Sequence, residues 1–170
     1  MRSGGQRYGN GAMERRIATL DEIWEILTEE AEYIFEEMIE TLVAARLWEK
    51  FADFPYGFER AYRRVQVFNG SEELTDIDIL LSNGEWVMAV EVKREVHAAD
   101  VERHVWRMGK IREFPPAETR NKKLLGAIAG AVVDPDVRNM AHENGFFVIE
   151  LTGDTAALAP RPQGFRPREW

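Results

Sequence analysis

The order of apolar segments predicts an α/β protein, a mixed β-sheet flanked by helices on both faces and preceded by a long N-terminal helix. Three observations carry this. Apolar residues recur at helical spacing from Leu20 onward. Two alternating segments flank Asn83-Gly84, a strong hairpin signal. Residues 123–133 and 146–151 are near-continuous apolar runs, as expected of strands buried on both faces, and a short helical segment separates them.

The chain has 170 residues, enough for one domain with an ordinary core. Hydrophobic residues make up 45% and charged residues 31%, the balance of a globular protein. There is no cysteine, which excludes disulfides, thiolate zinc sites and a cysteine nucleophile, and fits a reducing cytoplasm. No apolar run reaches the roughly 18 residues of a membrane span, so no membrane partner is expected. The opening MRSGGQRYGNGA lacks the apolar centre of a secretory signal and reads, over residues 1–13, as a disordered arm or an expression remnant. The net charge of −8 counts against non-specific binding to a polyanion. The charge is uneven, though. Residues 20–50 are dominated by acids, whereas residues 94–123 and the tail carry most of the bases, so a basic half could face nucleic acid.

Thr19 followed by Glu22 is a capping-box start for the first helix. Its inward positions are read as Leu20, Ile23, Trp24, Leu27 and Ala31, then Ile34, Phe35, Met38, Leu42 and Val43, with the pattern running to about Phe51. Pro55 and Gly57 end it. Residues 58–68 read weakly as a strand, 73–81 and 85–94 as the hairpin, and 98–113 as a helix with Val101, Val105, Met108 and Ile111 inward. Asp134-Pro135 starts a short helix over 135–144, which Gly145 closes. The proline-rich remainder is expected to be irregular.

The hairpin carries Asp76, Asp78, Glu91 and Lys93 among apolar residues, where an unpaired carboxylate is costly. A two-residue loop at Asn83-Gly84 sets Asp78 opposite Ala89 and Asp76 opposite Glu91, and alternation then puts all four charged residues on one face. Crowded carboxylates call for a positive partner. Lys93 is one. A hard divalent cation, Mg²⁺ or Mn²⁺, suits an all-oxygen donor set better. The ordinary alternative is a solvated sheet face with cross-strand ion pairs, and the pairing of Asp78 with Glu91-Val92-Lys93 across a hairpin weighs against it.

At these residues the chain resembles the PD-(D/E)xK nuclease superfamily, with its restriction-endonuclease-like fold. Asp78 matches the family's Asp, and Glu91-Val92-Lys93 its E-x-K. Further likeness, to an uncharacterised subgroup with an N-terminal helical arm, runs through MIETLV at 38–43, RRV at 63–65, GAIAGAVV at 126–133, ENGFFVIELTGD at 143–154 and the final GFRPREW. The resemblance covers residues 34–170 and makes 14–33 the helical arm. It implies Mg²⁺-dependent hydrolysis of phosphodiester bonds, with Asp78, Glu91 and Lys93 catalytic and with Glu40 (or Glu36, one turn earlier) joining Asp78 and Glu91 on the metal. It also makes Asp76 a neighbour of the site rather than a ligand. Likeness of fold alone does not give function.

Outside the hairpin, Arg103, Arg107 and Lys110 recur on one helix face as a basic ridge able to contact nucleic-acid phosphates, or as plain solvated surface. His97 reads as loop surface, with a leaving-group contact as the sharper alternative, and His104 and His142 receive no role. Trp24 and Trp48 are expected in the core or at an interface. The long first helix is the expected homodimer surface. The leading expectation is a metal-dependent nuclease acting on DNA. The alternatives are a nuclease-fold module that no longer cuts, and a purely structural protein–protein module.

Overall fold

The computed structural model describes residues 20–170, with side chains from Glu22 onward. The expected arm over residues 1–13 and the Thr19 cap lie outside the described residues. The chain divides into two units, Met1–Glu32 and Tyr33–Trp170. In the first, the described residues are the opening turns of helix α1 (Leu20–Ala44).

The second unit is an α/β domain. Its sheet has six strands in sequence order: β1 (Arg60–Asn69), β2 (Glu72–Ser82), β3 (Trp86–Val96), β4 (Lys123–Val133), β5 (Phe147–Thr152) and β6 (Thr155–Leu158). The central pairs β3–β4 and β4–β5 are parallel and the outer pairs are antiparallel, so the sheet is mixed. Helix α2 (Ala98–Glu113) crosses from β3 to β4, and α3 (Pro135–Glu143) from β4 to β5.

Alternation along the strands feeds two cores. On one face Ile39 and Val43 of α1, with Leu47 and Phe51, pack against Ile79, Leu81, Met88, Val90, Leu125 and Phe147. On the other, Val101, Met108 and Ile111 of α2 and Ala141 of α3 pack against Leu80, Val87, Ala89, Leu124, Ile128 and Val148. β4 is buried by both, which is why its sequence is apolar and small. A Cβ on Gly126 would lie 2.6 Å from the Phe146 ring.

Four expectations need correction. First, α1 ends at Ala44, not Phe51, because Arg46 takes a left-handed conformation (φ 55°) and Leu47–Phe51 continue as a 3₁₀ turn. Second, Ile34, Phe35 and Met38 are not inward but 63%, 48% and 50% exposed. Helix α1 turns Ile39, Glu40 and Val43 to the domain, and that rotation carries the other apolar positions out. Trp24 and Trp48, at 74% and 43% exposed, are likewise outside the core. Third, β6 forms in the tail read as irregular, closing a tight hairpin on β5.

Fourth, the β2–β3 register is two residues from the expected one, with Leu80 opposite Ala89 and Ile79 opposite Val90. The cause is Asn83. Its Oδ1 accepts from the backbone N–H groups of Glu85 and Trp86 at 2.8 and 2.6 Å, and its own N–H donates to Trp86 O at 2.9 Å. Asn83 is therefore the first residue of the turn and the loop is Gly84-Glu85. A shift of two leaves the parity of the paired residues unchanged, and the ladder itself stops at Ile79–Val90, one residue short of Asp78 and Glu91.

Candidate active site

The site forms where β2 and β3 separate. Their ladder begins at Ile79–Val90 and runs only toward the turn, while β2 stays with β1 and β3 with β4. Asp78 is the first residue in the opening. It is skipped by β1 as well: Arg63 pairs with Ile79 and Val65 with Ile77, while the intervening Arg64 turns left-handed at φ 54°. For a non-glycine residue that conformation costs about 1–2 kcal/mol, and such strain concentrates at functional sites. The Asp78 carboxylate takes over part of the missing ladder, its Oδ2 accepting the Val92 backbone N–H at 2.7 Å.

Glu91 lies beside it, 2% exposed. The Arg107 guanidinium of α2 donates to Glu91 Oε2 at 2.5 Å, and the Lys93 ammonium stands 3.5 Å from Oε1. Burial pushes Glu91 up to about 7, and the neighbouring Asp78 adds to this against the opposing pull of Arg107 and Lys93. Burial also raises Asp78, partly offset by its bond from Val92. For Lys93, burial works against the charge, but Glu91, Glu36, Asp78 and Asp100 outweigh it and raise its pKa. Lys93 is thus held as an ammonium, suited to stabilising negative charge rather than to removing a proton.

In front of this pair opens a cavity of about 260 Å³ that Asp76, Asp78 and Lys93 share with Glu36, Glu37 and Glu40 of α1. Glu40 is 7% exposed and is held by Arg63, whose Nε donates to Oε1 at 2.8 Å. Arg64 pairs with Glu37 and lies 3.9 Å from Glu40 Oε2. Glu36 is exposed at the cavity. Asp78 and Lys93 therefore meet at one mouth, Glu40 reaches it tied to an arginine, and Glu91 lies behind, bridging Lys93 and Arg107.

The expected basic ridge is not a ridge. Arg107 is 6% exposed and already engaged, with Nε donating to Thr75 Oγ1 at 3.0 Å and one terminal nitrogen to Glu91. Lys110 pairs with Glu113 and lies over the Phe114 ring. Arg103 is exposed and Lys110 half-buried. His97 stands at the start of α2, its N–H donating to Asp100 Oδ2 at 2.8 Å.

His104, Arg63 and Arg64 received no role from the sequence, and Arg107, expected on a phosphate-contacting ridge, is instead buried against Glu91. His104 is fully buried, and burial lowers it to about 3, with Arg107 pulling the same way. The neutral ring lies 3.3 Å from an Arg107 nitrogen at Nδ1 and 3.2 Å from Ala89 O at Nε2, so Nδ1 accepts and Nε2 donates. The relay Ala89–His104–Arg107–Glu91 fixes where the Glu91 carboxylate points.

No family profile and no curated protein matches the chain. Among solved structures, it is similar to a repair endonuclease from Pyrococcus abyssi, at 13% identity and a TM-score of 0.42. The match covers 72% of this chain and 46% of that one, so the chain spans less than half of that protein's length. The functional reading rests on the site's own geometry.

Among the described residues no group of three or more acidic or histidine side chains stands together as a ready metal cage. The donor set that does converge is Asp78 with Glu91. Two adjacent carboxylates, both pushed upward, form a pair that a hard cation relieves. Mg²⁺ held by one or two carboxylates keeps its remaining positions for water and phosphate. The residues fit such an ion with two protein ligands; Glu40, whose Oε1 is held by Arg63, would bring only Oε2.

Proposed function

We propose that the protein is a metal-dependent nuclease that hydrolyses phosphodiester bonds of DNA. What supports this is the fork itself: a partly buried Asp78 and a buried Glu91 side by side, with a protonated Lys93 at the mouth of an open cavity. Asp78 and Glu91 would hold Mg²⁺ or Mn²⁺. The ion would supply a polarised phosphate oxygen and an activated water. Lys93 would stabilise the charge that develops on the phosphoryl oxygens. Arg107 and His104 would keep Glu91 aimed. Exposed apolar residues on α1 (Tyr33, Ile34, Phe35 and Met38) favour a homodimer through that helix.

A second reading, a nuclease-fold module that does not cut, is favoured by one observation. Arg107 already neutralises Glu91, and Arg63 already neutralises Glu40, so cations from the chain occupy two of the three expected metal ligands.

The test is cleavage of linear, branched and single-stranded DNA in Mg²⁺ and in Mn²⁺, beside Lys93→Ala and Asp78→Ala. The nuclease reading expects metal-dependent cutting that both variants lose. DNA binding without cutting and without metal uptake by calorimetry would leave the second reading. Cutting retained by both variants would sink the assignment of the site.

A further inference from the structure

We propose that the groove between the start of β2 and the middle of α2 is a stacking subsite for an unpaired nucleobase. The proposal rests on the nuclease reading for its neighbouring phosphate, and its test separates the two.

The groove encloses about 450 Å³ and is lined by Leu74, Thr75 and Asp76 of β2 and by Arg103, Trp106 and Arg107 of α2. Trp106 is 48% exposed. It sits on a helix whose other large apolar residues, Met108 and Ile111, are fully buried. Among the described residues it has no ring partner, and Arg103 has no ion pair, in contrast to Arg107 and Lys110 of the same helix. The groove thus offers one flat π-face, one free cation and one carboxylate.

That combination matches one kind of ligand. A nucleobase stacks on an indole whatever its identity. The adjoining phosphate is drawn to Arg103. A ring N–H or an exocyclic amino group of the base can donate to Asp76. The groove also adjoins the acidic cavity at one residue, Asp76, which lines both. Asp76 and Asp78 are two residues apart on one strand, about 7 Å by strand rise, so a strand with a phosphate at Asp78 has a base within reach of Trp106. A base inside a duplex has both faces covered by its neighbours. Stacking on Trp106 therefore selects unpaired nucleotides beside the bond at the metal site.

The experiment uses the full chain carrying Lys93→Ala, which removes cutting and leaves the groove intact. A short fluorescein-labelled oligothymidylate, the same strand with one abasic position, and a blunt duplex are titrated by anisotropy, with Trp106→Ala, Trp106→Phe and Arg103→Ala in the same background. The expected result is single strand bound more tightly than duplex, with Trp106→Ala weakening single-strand binding about ten-fold and Trp106→Phe restoring most of it. Arg103→Ala should lower the slope of log affinity against log salt by about 0.7. Quenching of protein fluorescence by the oligonucleotide should fall in Trp106→Phe, while unchanged urea midpoints show that the variants fold. Trp106→Ala binding within two-fold of its parent, or duplex bound as tightly as single strand, overturns the proposal. So does the absence of any oligonucleotide binding, which would leave the groove to a protein partner. If the wild-type chain never cuts but binding still depends on Trp106, the nuclease reading fails and the subsite stands.

Discussion

Glu91 is the residue on which most of the chemistry turns. Its carboxyl is pushed up to about 7, against an ordinary 4.5 in the unfolded chain. Between those values the folded protein holds a proton that the unfolded chain has released, so stability falls as pH rises through this window. The expected loss is on the order of 1–3 kcal/mol from about pH 4.5 to about pH 7, read from urea midpoints across pH. Glu91→Gln should flatten it. Added Mg²⁺ should restore stability above pH 7 in the wild type, since the cation takes the proton's place, and no effect of Mg²⁺ there would count against the metal site.

Arg107 makes the complementary case. Arg107→Ala strands a buried carboxylate and should cost about 3–5 kcal/mol near pH 8. Calorimetry should show weaker Mg²⁺ binding as well, because Glu91 then keeps only its ion pair with Lys93. At this scale the sequence was informative about the acids and Lys93, and less so about Arg107 and His104. Asp78, Glu91 and Lys93 stood out because they interrupt apolar alternation. His104 and Arg107 gave a weaker signal: they interleave the inward positions Val101, Met108 and Ile111 of α2, and an arginine on a buried stripe requires a buried anion.

Among the elements, β4 shows most directly how sequence sets geometry. Its small residues let Met108 of α2 and the Phe146 ring close down on the sheet. Gly126→Ala should destabilise by about 1–3 kcal/mol in urea denaturation, since the ring, not a flexible chain end, meets the new methyl. Helices α2 and α3 and strand β4 were legible because caps, prolines and apolar runs mark them locally. The β2–β3 register was not, because it depends on Asn83, whose amide also donates to Tyr56 O and to Gly57 O from another part of the chain. The end of α1 escaped for a related reason: Arg46 breaks the helix with no glycine or proline to announce it.

For the whole molecule, the acidic balance and the exposed apolar residues of α1 bear on assembly. Ile23, Trp24, Ile26 and Leu27 are 41–74% exposed in the first unit, and Tyr33, Ile34, Phe35 and Met38 are 48–63% exposed in the second. Light scattering is expected to give twice the chain mass of 19.6 kDa, and Ile34→Glu with Phe35→Glu to return it to the single-chain value; a single-chain mass for the wild type would remove the dimer. Among the described residues no helix is long and apolar enough to cross a membrane. The mixed sheet between helices was readable from the order of apolar segments alone. The opening of the sheet at Asp78 was not, because alternation reports which face a side chain takes and not whether its strand is still paired.

That opening has a consequence for handling the protein. Separated strands present free backbone edges, which recruit other chains. Asp78 works as a staple there, covering the Val92 N–H with its own side chain. Cutting the staple in Asp78→Ala removes a charge and at the same time uncovers a sticky strand margin, so a preparation of that variant should be watched for clumping and slow precipitation. Lys93→Ala leaves the staple in place, which makes it the better silent version of the protein for any measurement that needs a clean solution.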